Sequence, residues 1–168
     1  GIEIPCVGYG TYKTPDGDVC SNGVRCALEN GYRHIDTAEL YANEKGVGIG
    51  IKQSGVDRKD IFVSTKVWNT NQGYDTTIEA FYRSLEKLQF DYLDLYLIHW
   101  PIAFDFKAEY PKQFLETWRA MEDLYKKGVV RAIGVCNCLK SHLNTLLSNC
   151  EIKPMVGIFL SVLAGNVA

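Results

Sequence analysis

The sequence lacks the features that define several classes of protein. Its six cysteines show no Cys-x-x-Cys spacing and its three histidines form no pair at metal-ligand spacing, so neither a zinc site nor a disulfide framework is predicted. No apolar run reaches the roughly 20 residues that span a bilayer. Basic residues are scattered among acidic ones at a net charge of -2, which leaves no basic stripe for nucleic acid. We therefore expect a soluble cytoplasmic protein without a metal, whose partners include neither nucleic acid nor membrane.

Short apolar runs alternate with longer amphipathic stretches along the 168 residues, a rhythm typical of βα units and a parallel sheet. The predicted strands cover residues 4–10, 32–37, 61–68, 92–100 and 131–137, with a weaker sixth at 155–160. The predicted helices cover residues 19–30, 44–54, 76–88, 112–127 and 140–148. Gly31, Gly55 and Gly128 follow three of these helices, where a left-handed residue ends a helix. The pattern predicts one domain of about five to six βα units.

This rhythm is shared by closed (β/α)8 barrels and by open, doubly wound sheets. No G-x-G-x-x-G follows the first predicted strand, which argues against a doubly wound dinucleotide-binding domain. Gly46, Gly48 and Gly50 have the spacing G-x-G-x-G and fall inside a predicted helix, so we interpret them as packing residues. The expected fold class is α/β, of the (β/α)8 TIM-barrel type. The barrel is expected to be incomplete, because such a fold needs roughly 250 residues.

Polar residues recur at the predicted carboxyl ends of successive strands. Asp36 ends the second strand, Lys66 the third and His99 the fourth, and Tyr41 lies on the loop after Asp36. In a parallel barrel these strand ends converge on one mouth. Taken singly, Asp36 and Lys66 could form a structural ion pair, and His99 could be a core histidine. Their shared position at one edge favours a catalytic group.

These residue types suit the reduction of a carbonyl group. A tyrosine hydroxyl, with an ordinary pKa of about 10, can protonate a developing alkoxide, and a lysine cation beside it favours its phenolate. Asp36 can compensate the burial of Lys66 and fix its direction, while His99 can hydrogen-bond the substrate oxygen. No side chain supplies hydride, so a nicotinamide cofactor is implied.

Four segments resemble the signatures of the aldo-keto reductase family, in the family's order and spacing. They are Gly-Tyr-Arg-His-Ile-Asp-Thr-Ala at 31–38, Ser-Thr-Lys-Val-Trp at 64–68, Leu-Ile-His-Trp-Pro at 97–101 and Ile-Gly-Val-Cys-Asn at 133–137. The resemblance implies a (β/α)8 barrel that reduces aldehydes and ketones to alcohols with NADPH. The catalytic set that it implies is Asp36, Tyr41, Lys66 and His99. It also implies cofactor contacts from Gly10, Thr11, Tyr12, Asp36, Cys136 and Asn137, and a substrate pocket lined by Trp68 and Trp100.

The sequence departs from the family pattern in two places. Where the family usually has Ser-Asn, this chain has Cys136 and Asn137, which replaces a hydroxyl contact to the nicotinamide carboxamide with a weaker thiol. We expect Cys136 to be a buried, inert thiol. After Val156 the family continues with a polar strand ending that includes a glutamine, whereas residues 157–163 read Gly-Ile-Phe-Leu-Ser-Val-Leu. We therefore divide the chain into a partial barrel at 1–156 and a divergent apolar tail at 157–168.

Three functional hypotheses stand at this point. The first is an NADPH-dependent reductase of a small-molecule carbonyl substrate, the second a non-catalytic cofactor-binding or interaction protein, and the third a truncated, inactive barrel. Retention of all four catalytic residues favours the first. The full-length family is expected to be monomeric, but an open sheet has unpaired edges that self-association could cover. His34 is interpreted as a brace of the barrel and His142 as a solvent-exposed helix residue, both without a role in chemistry.

Overall fold

The computed structural model describes residues 2–102, 108 and 110–158. Six parallel strands form one sheet in sequential order, each strand beside its neighbour in the sequence. The strands are β1 (Tyr9–Gly10), β2 (His34–Asp36), β3 (Phe62–Val67), β4 (Leu95–Ile98), β5 (Ile133–Cys136) and β6 (Val156–Ile158). The helices that alternate with them are α1 (Asp18–Glu29), α2 (Glu44–Ser54), α3 (Tyr74–Leu88), α4 (Lys112–Lys126) and α5 (Lys140–Leu147). The prediction of a partial (β/α) barrel is confirmed.

The helices agree with the sequence predictions to within two residues at each end. Gly31, Gly55 and Gly128 have φ angles of 92°, 70° and 76°, as expected for residues that end helices in the left-handed region. The three glycines of α2 are packing residues, as predicted. A Cβ on Gly48 would lie 2.2 Å from the Leu88 carbonyl oxygen, and one on Gly50 would lie 2.5 Å from the Ser21 carbonyl oxygen. The backbone of α2 therefore packs directly against the backbone of α1 and α3, with no room for a side chain at these glycines.

The strands differ more from the predictions than the helices do. Strand β1 occupies only Tyr9–Gly10 instead of residues 4–10, because only these two residues pair with β2. Val7 in the predicted segment is 64% exposed. Strand β6 covers Val156–Ile158 and begins one residue later than the prediction for 155–160. Residues 159–168, which include the end of that prediction and most of the apolar tail, lie outside the described residues.

Side chains along β3 point alternately toward the helices and toward the interior of the partial barrel. Val63 and Val67 pack into a large apolar core with residues of the helices, and Thr65 donates a hydrogen bond to Glu44 of α2. The alternate residues face the interior of the partial barrel, where Phe62 packs with Leu95, Leu97, Ala132 and Cys136. Because successive side chains of a strand point to opposite faces, Ser64 and Lys66 share this interior face with Phe62.

A buried ion cluster, which we call the amino-end cluster, joins the amino ends of β3, β4 and β5. The fully buried carboxylate of Asp94 lies 2.7 Å from Arg58 and 2.6 Å from Arg131, and accepts the backbone N–H of Val63 at 3.0 Å. The Arg58 guanidinium also stacks on Phe90 and Tyr92, at 4.6 and 4.3 Å from the ring centroids. Each Asp94 oxygen thus has a charged partner, and the cluster ties three strands together.

Candidate active site

The structure brings Asp36, Lys66 and Tyr41 together at the carboxyl ends of β2 and β3. The Lys66 ammonium donates to the Asp36 carboxylate at 2.7 Å and to the Thr37 carbonyl oxygen at 2.9 Å. Its Nζ lies 3.5 Å from the Tyr41 hydroxyl oxygen and 5.1 Å from the Tyr41 ring centroid. The lysine is almost fully buried, whereas 29% of the Asp36 side chain is exposed. The charge of a buried lysine is therefore compensated, and it lies beside a tyrosine hydroxyl.

Tyr41 ends a short 3-10 turn, Glu39–Tyr41, that follows β2. The next residue, Ala42, closes the turn with a φ of 54°, a left-handed conformation that is strained for a residue with a Cβ. Burial raises the pKa of the Tyr41 phenol, and Lys66 lowers it by a smaller amount. The effect of Lys66 has the predicted direction, but burial outweighs it. Tyr41 is consequently protonated at neutral pH, as a proton donor must be.

His99 follows β4 and contacts two aromatic rings. The Tyr41 and Trp68 rings contact the imidazole edge to face, with centroid distances of 5.7 and 5.2 Å. Burial, and to a smaller extent Lys66, lowers the pKa of His99 from 6.5 to about 4, so the ring is neutral at pH 7. Its buried Nδ1 has no hydrogen-bond partner among the described residues. A neutral imidazole can orient a polar ligand without adding a charge.

The segment Gly10–Tyr12 lies beside this group. Thr11 is fully buried, and its hydroxyl donates to Thr37 at 2.9 Å, next to the amide of Asn43. Asn43 also donates to the carbonyl oxygens of Thr11 and Thr14, both at 2.9 Å. The side chain of Thr11 therefore forms hydrogen bonds within the protein. The exposed Tyr12 ring lies 5.1 Å from the Tyr41 ring.

Cys136 and Asn137 lie at the end of β5, on the side of His99 away from β3. Burial raises the pKa of Cys136 to about 12, so its thiol is protonated and unreactive at neutral pH, as expected. Asn137 has a φ of 57° and donates its side-chain amide to the His99 carbonyl oxygen at 2.8 Å. Asn137 thus connects the end of β5 to the end of β4.

The two candidate pocket tryptophans follow β3 and β4. Trp68 is half-buried and contacts His99, while Trp100 is exposed at the rim. The Trp100 carbonyl oxygen accepts a 2.6 Å hydrogen bond from the buried amide of Gln72. Both indoles therefore lie at the same edge of the sheet as Tyr41, which allows them to line a pocket there.

Sequence reasoning missed the polar residues that support the site. Ser64 donates to Asp36 at 2.6 Å, so the second Asp36 oxygen is also occupied, and its hydroxyl lies 3.2 Å from His34 Nε2. Glu39 and Gln72 connect loops at the mouth. A signal for Ser64 was present, since it lies two residues before Lys66 and must share its face of β3. Glu39 and Gln72 lie in loops, where no periodicity identifies a contact.

The remaining histidines are only partly as predicted. His34 is half-buried against Phe62, with ring centroids 5.1 Å apart, in keeping with a brace inside the barrel. His142 is half-buried rather than solvent-exposed, because its Nδ1 accepts the backbone N–H of Leu139 and its ring packs against Tyr110. Within the described ranges, no three His, Cys, Asp or Glu side chains are placed to hold a metal ion. No helix in that part of the chain is both long enough and apolar enough to cross a membrane.

Solved structures that resemble this fold include aldo-keto reductases. An aldo-keto reductase from a Medee basin deep-sea metagenome library superimposes with a TM-score of 0.87 at 49% identity, over 95% of this chain and 56% of that protein. The Bombyx mori aldo-keto reductase, solved in complex with NADP, superimposes with a TM-score of 0.81 at 39% identity, over 93% of this chain and 54% of that protein. The sheet is therefore part of an aldo-keto reductase barrel.

Residues 7–157 match the model of the aldo/keto reductase family, and the chain belongs to that family. Among curated relatives, glyoxal reductase of Bacillus subtilis is 54% identical over 93% of this chain and 54% of its own length. The 9,11-endoperoxide prostaglandin H2 reductase of Trypanosoma cruzi is 50% identical over 92% of this chain and 52% of its own length. The chain thus spans about half the length of the relatives it matches.

Proposed function

We propose that this protein reduces the carbonyl group of small aldehydes or ketones to an alcohol, with NADPH as the hydride source and Tyr41 as the proton donor. The observation that supports this most strongly is the position of Lys66. Its ammonium is held by Asp36 at 2.7 Å and lies 3.5 Å from the Tyr41 hydroxyl, next to a neutral His99. A cation at that distance stabilises the phenolate that forms when Tyr41 gives up its proton.

The residues at the mouth fit the nicotinamide end of the cofactor. Asn137 is held in a left-handed turn by its bond to His99, which leaves its side-chain oxygen to accept from a carboxamide. Gly10 has open space above it, since a Cβ there would meet nothing within 4 Å. When bound, NADPH would supply hydride to the carbonyl carbon. Cys136 is a weaker candidate contact, because its protonated thiol is a poor donor.

The chain's own residues account for the proton and for orientation. His99, neutral and in contact with Tyr41 and Trp68, would hydrogen-bond the carbonyl oxygen and direct it toward the Tyr41 hydroxyl. Tyr41 would transfer its proton to the oxygen as negative charge develops there. Lys66 would balance the phenolate, while Asp36, fixed by Ser64, keeps the ammonium in place. Trp68 and Trp100 would exclude water from one side of the substrate.

The test is NADPH binding by the chain, followed by cofactor fluorescence, together with turnover of glyoxal, the substrate named for the Bacillus relative. Tyr41→Phe should keep NADPH binding within about twofold and lower turnover by about a thousandfold or more, because the ring remains and only the proton is lost. Tyr82→Phe is the matched control, since this exposed tyrosine lies on α3 away from the mouth. Binding without turnover in the wild-type chain would favour the non-catalytic hypothesis, and equal turnover in Tyr41→Phe would remove Tyr41 as the donor.

A further inference from the structure

Glu39 lies in the short turn that ends at Tyr41, and its side chain reaches the loop after β3. Its Oε2 accepts the backbone N–H of Trp68 at 3.1 Å, and its Oε1 accepts the side-chain amide of Asn71 at 2.8 Å. Arg83 of α3 lies 3.7 Å from the same carboxylate, whose side chain is only 13% exposed. Because the group is shielded from solvent, these charge-assisted bonds connect the two loops firmly.

The two segments that Glu39 connects carry the two aromatic rings that contact His99. Tyr41 is two residues from Glu39 in the same turn, and Trp68 supplies the N–H that Glu39 accepts. The Tyr41 and Trp68 rings both contact the His99 imidazole edge to face. The relative position of these rings therefore affects how a carbonyl group can reach both His99 and the Tyr41 hydroxyl. Glu39 connects the turn that carries Tyr41 to the loop that carries Trp68.

We propose that Glu39 is a positioning residue that determines substrate size, because it fixes the spacing between Tyr41 and Trp68. Its kinetic consequence rests on the proposed reductase function, but its structural consequence does not. Glu39→Ala removes both acceptors and leaves the Trp68 N–H and the Asn71 amide without their partner. Glu39→Gln retains an acceptor for Trp68, and Asn71 can rotate its amide to accept from the new glutamine. The conservative variant should therefore restore the spacing that the alanine variant loses.

Kinetics on a small and a bulky aldehyde test the specificity. Glu39→Ala should lower kcat/KM for glyoxal about tenfold, chiefly through KM, and should lower it for benzaldehyde by less than about threefold, because a wider space penalises the small substrate more. Glu39→Gln should stay within about twofold of the wild type for both substrates. Asn71→Ala, which removes one of the two bonds, should fall between them.

Glu122 of α4 provides the matched control. It is buried, and its Oε1 accepts the backbone N–H groups of Glu151 and Ile152, both at 2.7 Å, far from the mouth. Glu122→Ala should weaken the fold but leave the ratio of kcat/KM for the two aldehydes unchanged. If Glu39→Ala also left that ratio unchanged, Glu39 would be a structural residue only, and the proposal would be wrong.

A measurement that needs no turnover separates this inference from the proposed function. If the wild-type chain reduces neither aldehyde, the proposed function fails, and nuclear Overhauser contacts between the His99 ring and the rings of Tyr41 and Trp68 decide the matter. Tyr41→Phe and Trp68→Phe assign the resonances. The contacts should be present in the wild type and Glu39→Gln and weakened in Glu39→Ala. Unchanged contacts in Glu39→Ala would overturn the proposal.

Discussion

The sheet holds a buried carboxylate–cation pairing at each end, and the two are built differently. In the amino-end cluster, Asp94 is fully buried and pairs with two arginines, and it also accepts a hydrogen bond from a backbone N–H. At the mouth, Asp36 has one lysine, one serine hydroxyl and 29% of its side chain exposed. The Asp94 carboxylate is closed to solvent, whereas Asp36 remains partly exposed. Solvent exposure of the carboxylate, rather than charge pairing, distinguishes the candidate site from the structural ion cluster.

The turns at the two ends of the sheet differ in the residue types that adopt the left-handed region. Where the chain adopts the left-handed region at the amino ends of the strands, it mostly uses glycine, as at Gly31, Gly55 and Gly128, with Gln89 the exception. At the mouth Gly17 and Gly73 also have positive φ angles, but three residues with a Cβ have them as well: Lys13, Ala42 and Asn137. Strained backbone is thus concentrated beside the candidate catalytic residues, as is common at functional sites.

The largest effect should come from breaking the amino-end cluster. Asp94→Asn should lower the free energy of unfolding by about 3–5 kcal/mol, because two arginines and an N–H would face a group that carries no charge. Urea denaturation followed by circular dichroism measures it. Arg131→Gln should lower the free energy of unfolding by less, because the Arg131 side chain is 48% exposed and Asp94 retains its ion pair with Arg58. A loss below about 1 kcal/mol for Asp94→Asn would contradict the structural role assigned to the cluster.

His99 at the mouth should make the stability of the fold depend on pH. The pKa of His99 is about 4 in the folded chain and 6.5 ordinarily, so between these values the unfolded chain binds a proton that the folded chain does not. The free energy of unfolding should therefore fall as pH is lowered through this window, by up to about 3 kcal/mol from His99. The lowered pKa values of His34 and His142 act in the same direction. Denaturation at several pH values should show a weaker dependence in His99→Gln.

Breaking the mouth pair should cost less stability than breaking the amino-end cluster. Lys66→Met should lower the free energy of unfolding by about 1–2 kcal/mol, because Asp36 keeps the Ser64 hydroxyl and access to water. The double variant with Lys66→Met and Asp36→Asn should lose less free energy of unfolding than the two single variants added together, because no carboxylate is left without its lysine. A double-mutant cycle in urea measures the coupling. A loss as large as that of Asp94→Asn would mean that the mouth pair is mainly structural.

The smallest change in stability is expected for the strained turn after Tyr41. Ala42→Gly should raise the free energy of unfolding by about 0.5 kcal/mol, because relief of the left-handed strain exceeds the entropy that glycine adds to the unfolded chain. The opposite change at the amino end, Gly55→Ala, should lower it by about 1 kcal/mol. Thermal unfolding compares the two variants. A loss of stability in Ala42→Gly would contradict the strain assigned to Ala42.

Much of this architecture could be predicted from local patterns. Helix α2 was predicted at its observed bounds, and the recurrence of polar residues at strand ends brought Asp36, Lys66 and His99 to one edge. The length of β1 could not be predicted, because it depends on which residues pair with β2. The hydrogen bond from the Thr11 side chain to Thr37 could not be predicted, because it depends on how two segments 26 residues apart come together. Glu39 was missed because its partners lie 29 and 32 residues away in a loop.

The alternation of β3 limits how this protein can change over time. A single inserted or deleted residue within Phe62–Val67 would exchange its two faces and turn Lys66 toward the helices, while Thr65 or Val67 would face the interior. One such event would remove the ammonium from Tyr41 and place an unpaired charge in the apolar core at once. Drift along this strand is thus confined to point substitutions, whereas the exposed mouth loops can also gain or lose residues.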